Sequence, residues 1–96
     1  VSLIEALLQF SNFYEKDTNI WGNGSEFDNT ILSNAYKKAY MKQPWEFWNS
    51  KCYRTVKSLH DDVKIKRSGI HHCAIDDAVS QAEHLIEIAK AKGFTL

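Results

Sequence analysis

The chain has no surplus of charge of either sign. Its 96 residues carry 12 Lys and Arg side chains and 12 Asp and Glu side chains, so the formal net charge at pH 7 is zero. A protein that binds many nucleic-acid phosphates without sequence specificity needs a positively charged surface, because its affinity comes from counterion release. High-affinity, non-specific binding of nucleic acid is therefore disfavoured, although bound cations can hold phosphates for a neutral protein.

Cysteine, proline and long apolar runs are also scarce. Cys52 and Cys73 are too few for a disulfide framework and do not have the spacing of a metal-ligand pair. The single proline, Pro44, marks a break between elements rather than a linker. No apolar run approaches membrane length and no signal peptide is recognisable, so we expect a cytoplasmic protein with reduced thiols and no membrane contact.

Against these absences, the segment WGNGSEFD at residues 21–28 is distinctive. An apolar strand ends there in a glycine turn, and Asp28 follows in the first turn of a predicted helix. Ser25 is a candidate N-cap with Asp28 three residues on, as in a capping box, and a carboxylate there complements the helix dipole. The spacing alone leaves two roles open for Asp28, a helix cap and a metal ligand.

A second segment, HHCAIDDA at residues 71–78, places a histidine five residues ahead of an aspartate at the entrance of another helix. His71 with Asp76 and His72 with Asp77 have the same spacing, so spacing does not choose between them. Carboxylates hold hard divalent cations, and a histidine can deprotonate an attacking water near neutral pH. Together the two segments contain the residue types needed for metal-assisted phosphodiester hydrolysis.

These segments resemble the DEDDh (DnaQ-like) superfamily of 3′-5′ exonucleases, in particular the branch with phage exonuclease A and short bacterial exoribonucleases. That branch carries W-G-[NQ]-G-x-x-F-D and H-N-A-L-D-D-A. The intervening PWEFWNSKCYRTV at residues 44–56 is similar to its Pro/Trp-containing connection and R-T-[LV] strand. The resemblance covers about residues 15–90, and the flanking Ala74, Ile75 and Ala78 fit the pattern only with His72 and Asp77.

The resemblance implies a site, its cofactors and its substrate. Asp28 and Asp77 would be ligands of two Mg²⁺ or Mn²⁺ ions, and His72 would be the catalytic general base. The substrate would be the 3′ end of single-stranded RNA or DNA, and the product a nucleoside 5′-monophosphate. Three positions in the first segment would contact the substrate: Asn23, Gly24 and Phe27.

One departure from the family limits what the chain can do alone. The family's first motif is an acidic D-x-E on the opening strand, which supplies two metal ligands, and no D-x-E lies on a strand-like segment here. We therefore interpret residues 1–96 as a single domain, the C-terminal portion of such an exonuclease, from a shortened chain or a degenerate prophage reading frame. A missing N-terminal segment or a homodimer partner would have to complete the site.

The hydrophobic pattern predicts an α/β chain. Helical periodicity spans residues 1–15, a short strand lies at residues 20–21, and a second helix follows the glycine turn to about Lys42. Alternation predicts a strand over residues 52–56, then a short helix, then a last helix from about Cys73 to Lys92 with Gly93 at its C′ position. This order, helix-strand-helix-strand-helix, matches the C-terminal portion of a ribonuclease H-like exonuclease fold. The last helix is expected to bury eight apolar positions: Ala74, Ile75, Ala78, Val79, Ala82, Leu85, Ile86 and Ala89.

Several other residues have a functional and a structural interpretation. The aromatic side chains at residues 45–48 can stack unpaired bases, but a hydrophobic plug under a long connection is the expected role. The basic segment at residues 64–67 can contact phosphate, but a solvated loop is expected. His60 and His84 have no partner pattern and are expected on the surface, and Asp76 is expected to face solvent.

A function of a different class also fits the sequence. Without the first acidic motif, the chain can be a catalytically inactive α/β fragment that serves as a nucleic-acid or protein interaction module. An exposed sheet edge would then pair with another chain. An acidic D-x-E strand, supplied upstream or by a partner, distinguishes the enzyme from this alternative.

Overall fold

The computed structural model describes residues 1–24, 26–67, 69 and 73–96. Within them the protein is mixed α/β, with four α-helices and one two-stranded parallel sheet, and it divides into two compact units, Val1–Cys52 and Tyr53–Leu96. The elements in chain order are helix α1 (Leu3–Phe13), strand β1 (Ile20–Gly22), helix α2 (Asp28–Lys38), a one-turn 3₁₀ helix (Phe47–Asn49), strand β2 (Ser50–Cys52), helix α3 (Tyr53–Leu59) and helix α4 (Ala74–Lys92).

Aromatic packing forms the core of the first unit. Leu7, Tyr36 and Trp45 are its buried centre. The Trp45 ring meets the rings of Phe10 and Tyr36 edge to face, with centroids 6.1 and 5.8 Å apart. The Tyr36 hydroxyl donates to the Leu7 carbonyl at 2.9 Å, so the buried phenol is satisfied. The expected hydrophobic plug is confirmed for Trp45.

The neighbouring aromatic residues Phe47 and Trp48 do not join this plug. Their side chains are 81% and 54% exposed, and the two rings meet edge to face at 5.1 Å. A reciprocal pair of hydrogen bonds between Glu46 and Asn49 holds the 3₁₀ turn. The expectation of a plug is therefore wrong for these two residues, because the turn directs them outward.

The two strands pair in parallel over their whole lengths, residues 20–22 opposite residues 50–52. The strand predicted over residues 52–56 is wrong, because β2 ends at Cys52 and α3 begins immediately after it. Tyr53, Val56 and His60 are spaced by three and four residues, and all three are buried or half-buried. The same segment therefore satisfies a helical period as well as an alternating one.

A buried polar pair organises the second unit. The Tyr53 hydroxyl lies 2.6 Å from His84 Nδ1, and His84 Nε2 lies 2.6 Å from the Val63 carbonyl oxygen. Because a carbonyl only accepts, Nε2 carries the proton and Nδ1 accepts from Tyr53. Burial raises the pKa of Tyr53 and the positive charge of Arg67 partly opposes this, so the phenol remains a donor at neutral pH. His84 is 3% exposed, and its expected surface position is wrong.

The rotation of α4 follows from this pair. Only Leu85 and Ala89 of the eight positions expected inside are buried, whereas the polar Ser80 and His84 are buried with Ile88. Apolar spacing correctly predicted the helix, but two buried polar side chains turned its N-terminal apolar positions to solvent. Gly93 ends the helix at φ 75°, as predicted. Neither α4 nor any other described helix is long and apolar enough to span a bilayer.

Replacing Tyr53 by Phe is expected to destabilise the protein by about 2 kcal/mol, because it leaves His84 Nδ1 buried without a donor. Urea unfolding followed by circular dichroism measures the change. Tyr40→Phe is the matched control, since the Tyr40 side chain is almost fully exposed and should lose less than about 0.5 kcal/mol. Equal stability of the two variants would contradict the assigned hydrogen bond.

Candidate active site

The first group of candidate residues lies in the loop between β1 and α2. The Asp28 carboxylate accepts the backbone N–H of Asn23 through Oδ2 at 2.9 Å. The Gly24 carbonyl accepts the N–H groups of Phe27 and Asp28, both at 3.0 Å. Four predicted site residues, Asn23, Gly24, Phe27 and Asp28, therefore belong to one hydrogen-bonded turn. Gly24 adopts φ 101°, which only glycine accepts readily.

Asp28 holds the turn rather than capping its own helix. It is the first residue of α2, and Phe27 occupies the N-cap position without a side-chain cap hydrogen bond. The capping box expected from Ser25 and Asp28 would need the acid at the third helical position, and Ser25 lies outside the described residues. The hydrogen bond to Asn23 uses Oδ2 of Asp28, and a carboxylate has a second oxygen that can accept a cation or a donor.

A residue next to Asp28 fixes its position, and sequence reasoning missed it. Asn29 is 6% exposed, and its Nδ2 donates to Ser50 Oγ at 2.7 Å and to the Ile20 carbonyl at 3.3 Å. It also lies 3.4 Å from the Lys51 carbonyl. Asn29 thus ties the first turn of α2 to both strands. Hydrophobic periodicity does not indicate that a polar residue will be buried and hydrogen-bonded to two strands. The only sequence signal for Asn29 is its position next to Asp28.

Gly22 makes this close packing possible. A Cβ atom there would lie 2.5 Å from Asn29 Oδ1 and 3.1 Å from Asp28 Cβ. The first distance is shorter than any tolerated contact, so the strand end and α2 approach each other only because residue 22 has no side chain. The glycine turn is therefore a structural requirement for the position of Asp28.

The second group of candidate residues lies at the start of α4. Asp77 is in its first turn, where the Asp77 N–H donates to the Cys73 carbonyl at 2.8 Å. Arg67 Nη1 lies 3.5 Å from Asp77 Oδ1, and the Asp77 side chain is three-quarters buried. An ion bound at Asp77 would have to compete with this guanidinium. Arg67 thus contacts a candidate ligand rather than lying in a purely solvated loop.

The expectation that Asp76 faces solvent is wrong. It is half-buried, and the backbone of Gly69 lies over its carboxylate. A Cβ atom on Gly69 would lie 2.4 Å from Asp76 Cγ, and Gly69 adopts φ 72°. The loop before α4 therefore needs glycine at residue 69 for two reasons, the left-handed backbone and the carboxylate beneath it.

His71 and His72 lie outside the described residues, so the expected role of His72 stays a prediction. Asp28 belongs to the first unit and Asp77 to the second. In the described ranges, no group of three or more His, Cys, Asp or Glu side chains is close enough to hold a metal ion. The donor type of Asp28 and Asp77 nevertheless suits Mg²⁺, which takes one or two carboxylates and otherwise uses water and substrate phosphate.

Comparison with known proteins identifies one family. The family model described as the 3′-5′ exoribonuclease Rv2179c-like domain matches residues 1–89, which is nearly the whole chain. No match was found among the curated proteins or among the solved structures. The matched range includes both segments that carry the candidate residues.

Proposed function

Because the chain belongs to the family of Rv2179c-like 3′-5′ exoribonuclease domains, we propose that it is the C-terminal portion of a metal-dependent 3′-5′ exonuclease with a ribonuclease H-like fold. Its substrate is the 3′ end of single-stranded RNA, and its product is a nucleoside 5′-monophosphate. The observation that carries the proposal is the Asp28 carboxylate, hydrogen-bonded through one oxygen to a glycine turn at the end of a parallel strand. Ligands in open α/β sheets bind at that end of the strands.

Each candidate residue has a distinct role in this proposal. Asp28 and Asp77 supply carboxylate oxygens for Mg²⁺ or Mn²⁺ ions, with further ligands from a D-x-E strand. When bound, such ions would neutralise charge on the scissile phosphate and acidify the attacking water. His72 accepts a proton from that water. Arg67, which contacts Asp77, orients the carboxylate when no cation is present.

The turn beside Asp28 has features suited to a nucleotide at the 3′ end. Phe27 directly precedes Asp28, and its side chain is 67% exposed. An exposed aromatic ring can stack on a base without selecting its identity. Asn23 and Gly24 are half-buried at the same turn, and Gly24 has no side chain to block the close approach of a sugar-phosphate chain. These three positions are the proposed substrate contacts.

An interaction module is the second candidate function, and one observation favours it. The N-terminal half of α4 presents apolar side chains to solvent, including Ile75 at 70% exposure. In the described part of the chain the sheet has two strands of three residues each, and their outer edges carry backbone groups that another strand can pair with.

A titration with Mn²⁺ tests the metal sites directly. Backbone amide signals at residues 23–28 and 73–78 are expected to broaden first, because carboxylate oxygens there are the proposed ligands. Asp28→Asn and Asp77→Asn should each weaken the effect, while the matched control Asp61→Asn, at an exposed carboxylate, should not. Broadening that starts at residues 61–62 or 83–84 would show an opportunistic surface site and would remove the metal assignment.

A further inference from the structure

The second unit contains a cavity that the proposed nuclease reaction does not use. It measures about 520 Å³, within the range of small-molecule sites, and lies between α3, the loop at residues 61–65 and the middle of α4. Val63 and Ile65 line it with apolar side chains. Its α4 wall is His84, seven residues beyond Asp77 and therefore roughly 10 Å farther along the helix.

The walls of the cavity are held in place before any ligand binds. His84 Nε2 donates to the Val63 carbonyl at 2.6 Å, which ties the loop to α4. At the neighbouring position, the Lys92 ammonium donates to the Asp62 carboxylate at 2.7 Å and lowers the pKa of that carboxyl. A loop fixed at two successive residues loses little conformational entropy on binding, so the shape of the cavity is preorganised.

The charge around the cavity is strongly positive, although the whole chain is neutral. Among the described residues, the charged side chains that line it are those of Arg54, Lys57, Lys64 and Asp61, which together carry a net charge of +2. Arg54 and Lys57 are three residues apart on α3 and therefore project from one side of that helix. Apolar walls beneath a cationic rim suit a ligand with a flat apolar body and a doubly charged anionic group.

We propose that this cavity binds a nucleoside 5′-monophosphate. The phosphomonoester carries a charge between −1.5 and −2 at pH 7, which matches the three cations better than the single negative charge of an internal phosphodiester. The base and sugar fill the part lined by Val63 and Ile65. The choice of a nucleoside among phosphomonoesters rests on the proposed function, because such a molecule is the product that the exonuclease releases. The cavity is then a second, product-binding site.

The test is a titration of the whole 96-residue chain with adenosine 5′-monophosphate, followed by amide and ³¹P NMR in EDTA, which removes any metal. Amide shifts are expected at residues 54–65 and His84, with adenosine and inorganic phosphate each binding at least about tenfold more weakly. Lys57→Gln combined with Lys64→Gln should weaken binding by about tenfold or more. Lys66→Gln is the matched control, because Lys66 directly follows this loop but pairs with Glu87 and does not line the cavity.

Three results would overturn the proposal. They are shifts confined to other residues, unchanged binding after removal of both lysines, and tighter binding of the diester adenylyl-adenosine than of the monoester. The last result would show that the cations bind the phosphodiester backbone of a nucleic-acid strand. Because the titration contains no metal and no cleavable strand, its failure leaves the nuclease proposal standing. If the chain binds the monophosphate as expected but shows no nuclease activity even after fusion to a D-x-E strand, only the nuclease proposal is removed.

Discussion

Gly22→Ala is expected to destabilise the protein by about 3 kcal/mol. The added Cβ would lie 2.5 Å from Asn29 Oδ1, and Asn29 cannot move aside without losing its hydrogen bonds to Ser50 and Ile20. Overpacking of this kind costs about 1–3 kcal/mol, and each buried hydrogen bond that is lost adds about 1 kcal/mol. Urea unfolding gives the free energy. Because Asp28 Cβ is the next nearest atom, the variant should also lose Mn²⁺ broadening at residues 23–28.

Gly93→Ala is the matched control for this prediction. Gly93 adopts φ 75°, and an added Cβ there meets no atom within 4 Å, so it tests backbone strain without a clash. A left-handed alanine costs roughly 1–2 kcal/mol, and the end of a terminal helix is a tolerant place. Gly22→Ala should therefore be clearly the more damaging substitution. The close packing of β1 against α2 would be refuted by a Gly22→Ala variant as stable as the parent chain.

The 96-residue chain by itself is expected to hydrolyse single-stranded RNA no faster than background. The proposed site needs further ligands from a D-x-E strand, and the sequence contains no such strand, so the ions would be poorly held. An RNA oligonucleotide labelled at its 5′ end, incubated in Mn²⁺ with and without EDTA, gives the measurement. Single-stranded DNA of the same sequence serves as the substrate comparison.

Restoring the missing acidic strand tests the same explanation by a gain of activity. Fusing a family D-x-E strand upstream of Val1 should raise trimming by about a hundredfold or more, because full metal ligation stabilises the transition state by several kcal/mol. Asp28→Ala or Asp77→Ala in the fusion should return the rate to background. Trimming by the unfused chain that is EDTA-sensitive and abolished by Asp77→Ala would show that the acids present suffice. Trimming that survives this substitution would show a contaminating nuclease.

Some features of the candidate site follow from the local sequence, and others depend on tertiary contacts. The turn at residues 22–24 and the position of Asp28 at a helix start follow from neighbouring residues, and the structure has both. The role of Asn29 could not be predicted, because its three acceptors are separated from it by 9 to 22 residues. Arg67 and Asp77 are ten residues apart in the sequence, so spacing does not predict their contact either. The family resemblance predicted which residues form the candidate site, whereas their contacts became known only from the tertiary structure.

The sequence by itself determined that helices form near residues 3–13, 28–38 and 74–92, that a strand precedes the glycine turn, and that Gly93 ends the last helix. These features depend on periodicity and backbone angles within one or two turns of chain, which the local sequence controls. Only the tertiary structure decided that Tyr53 begins a helix and that α4 buries His84 instead of Ile75. A helix with apolar residues on several sides can bury any of them, and the choice rests with distant partners. Here the Tyr53 hydroxyl and the Val63 carbonyl satisfy both nitrogens of His84, and that makes its burial favourable.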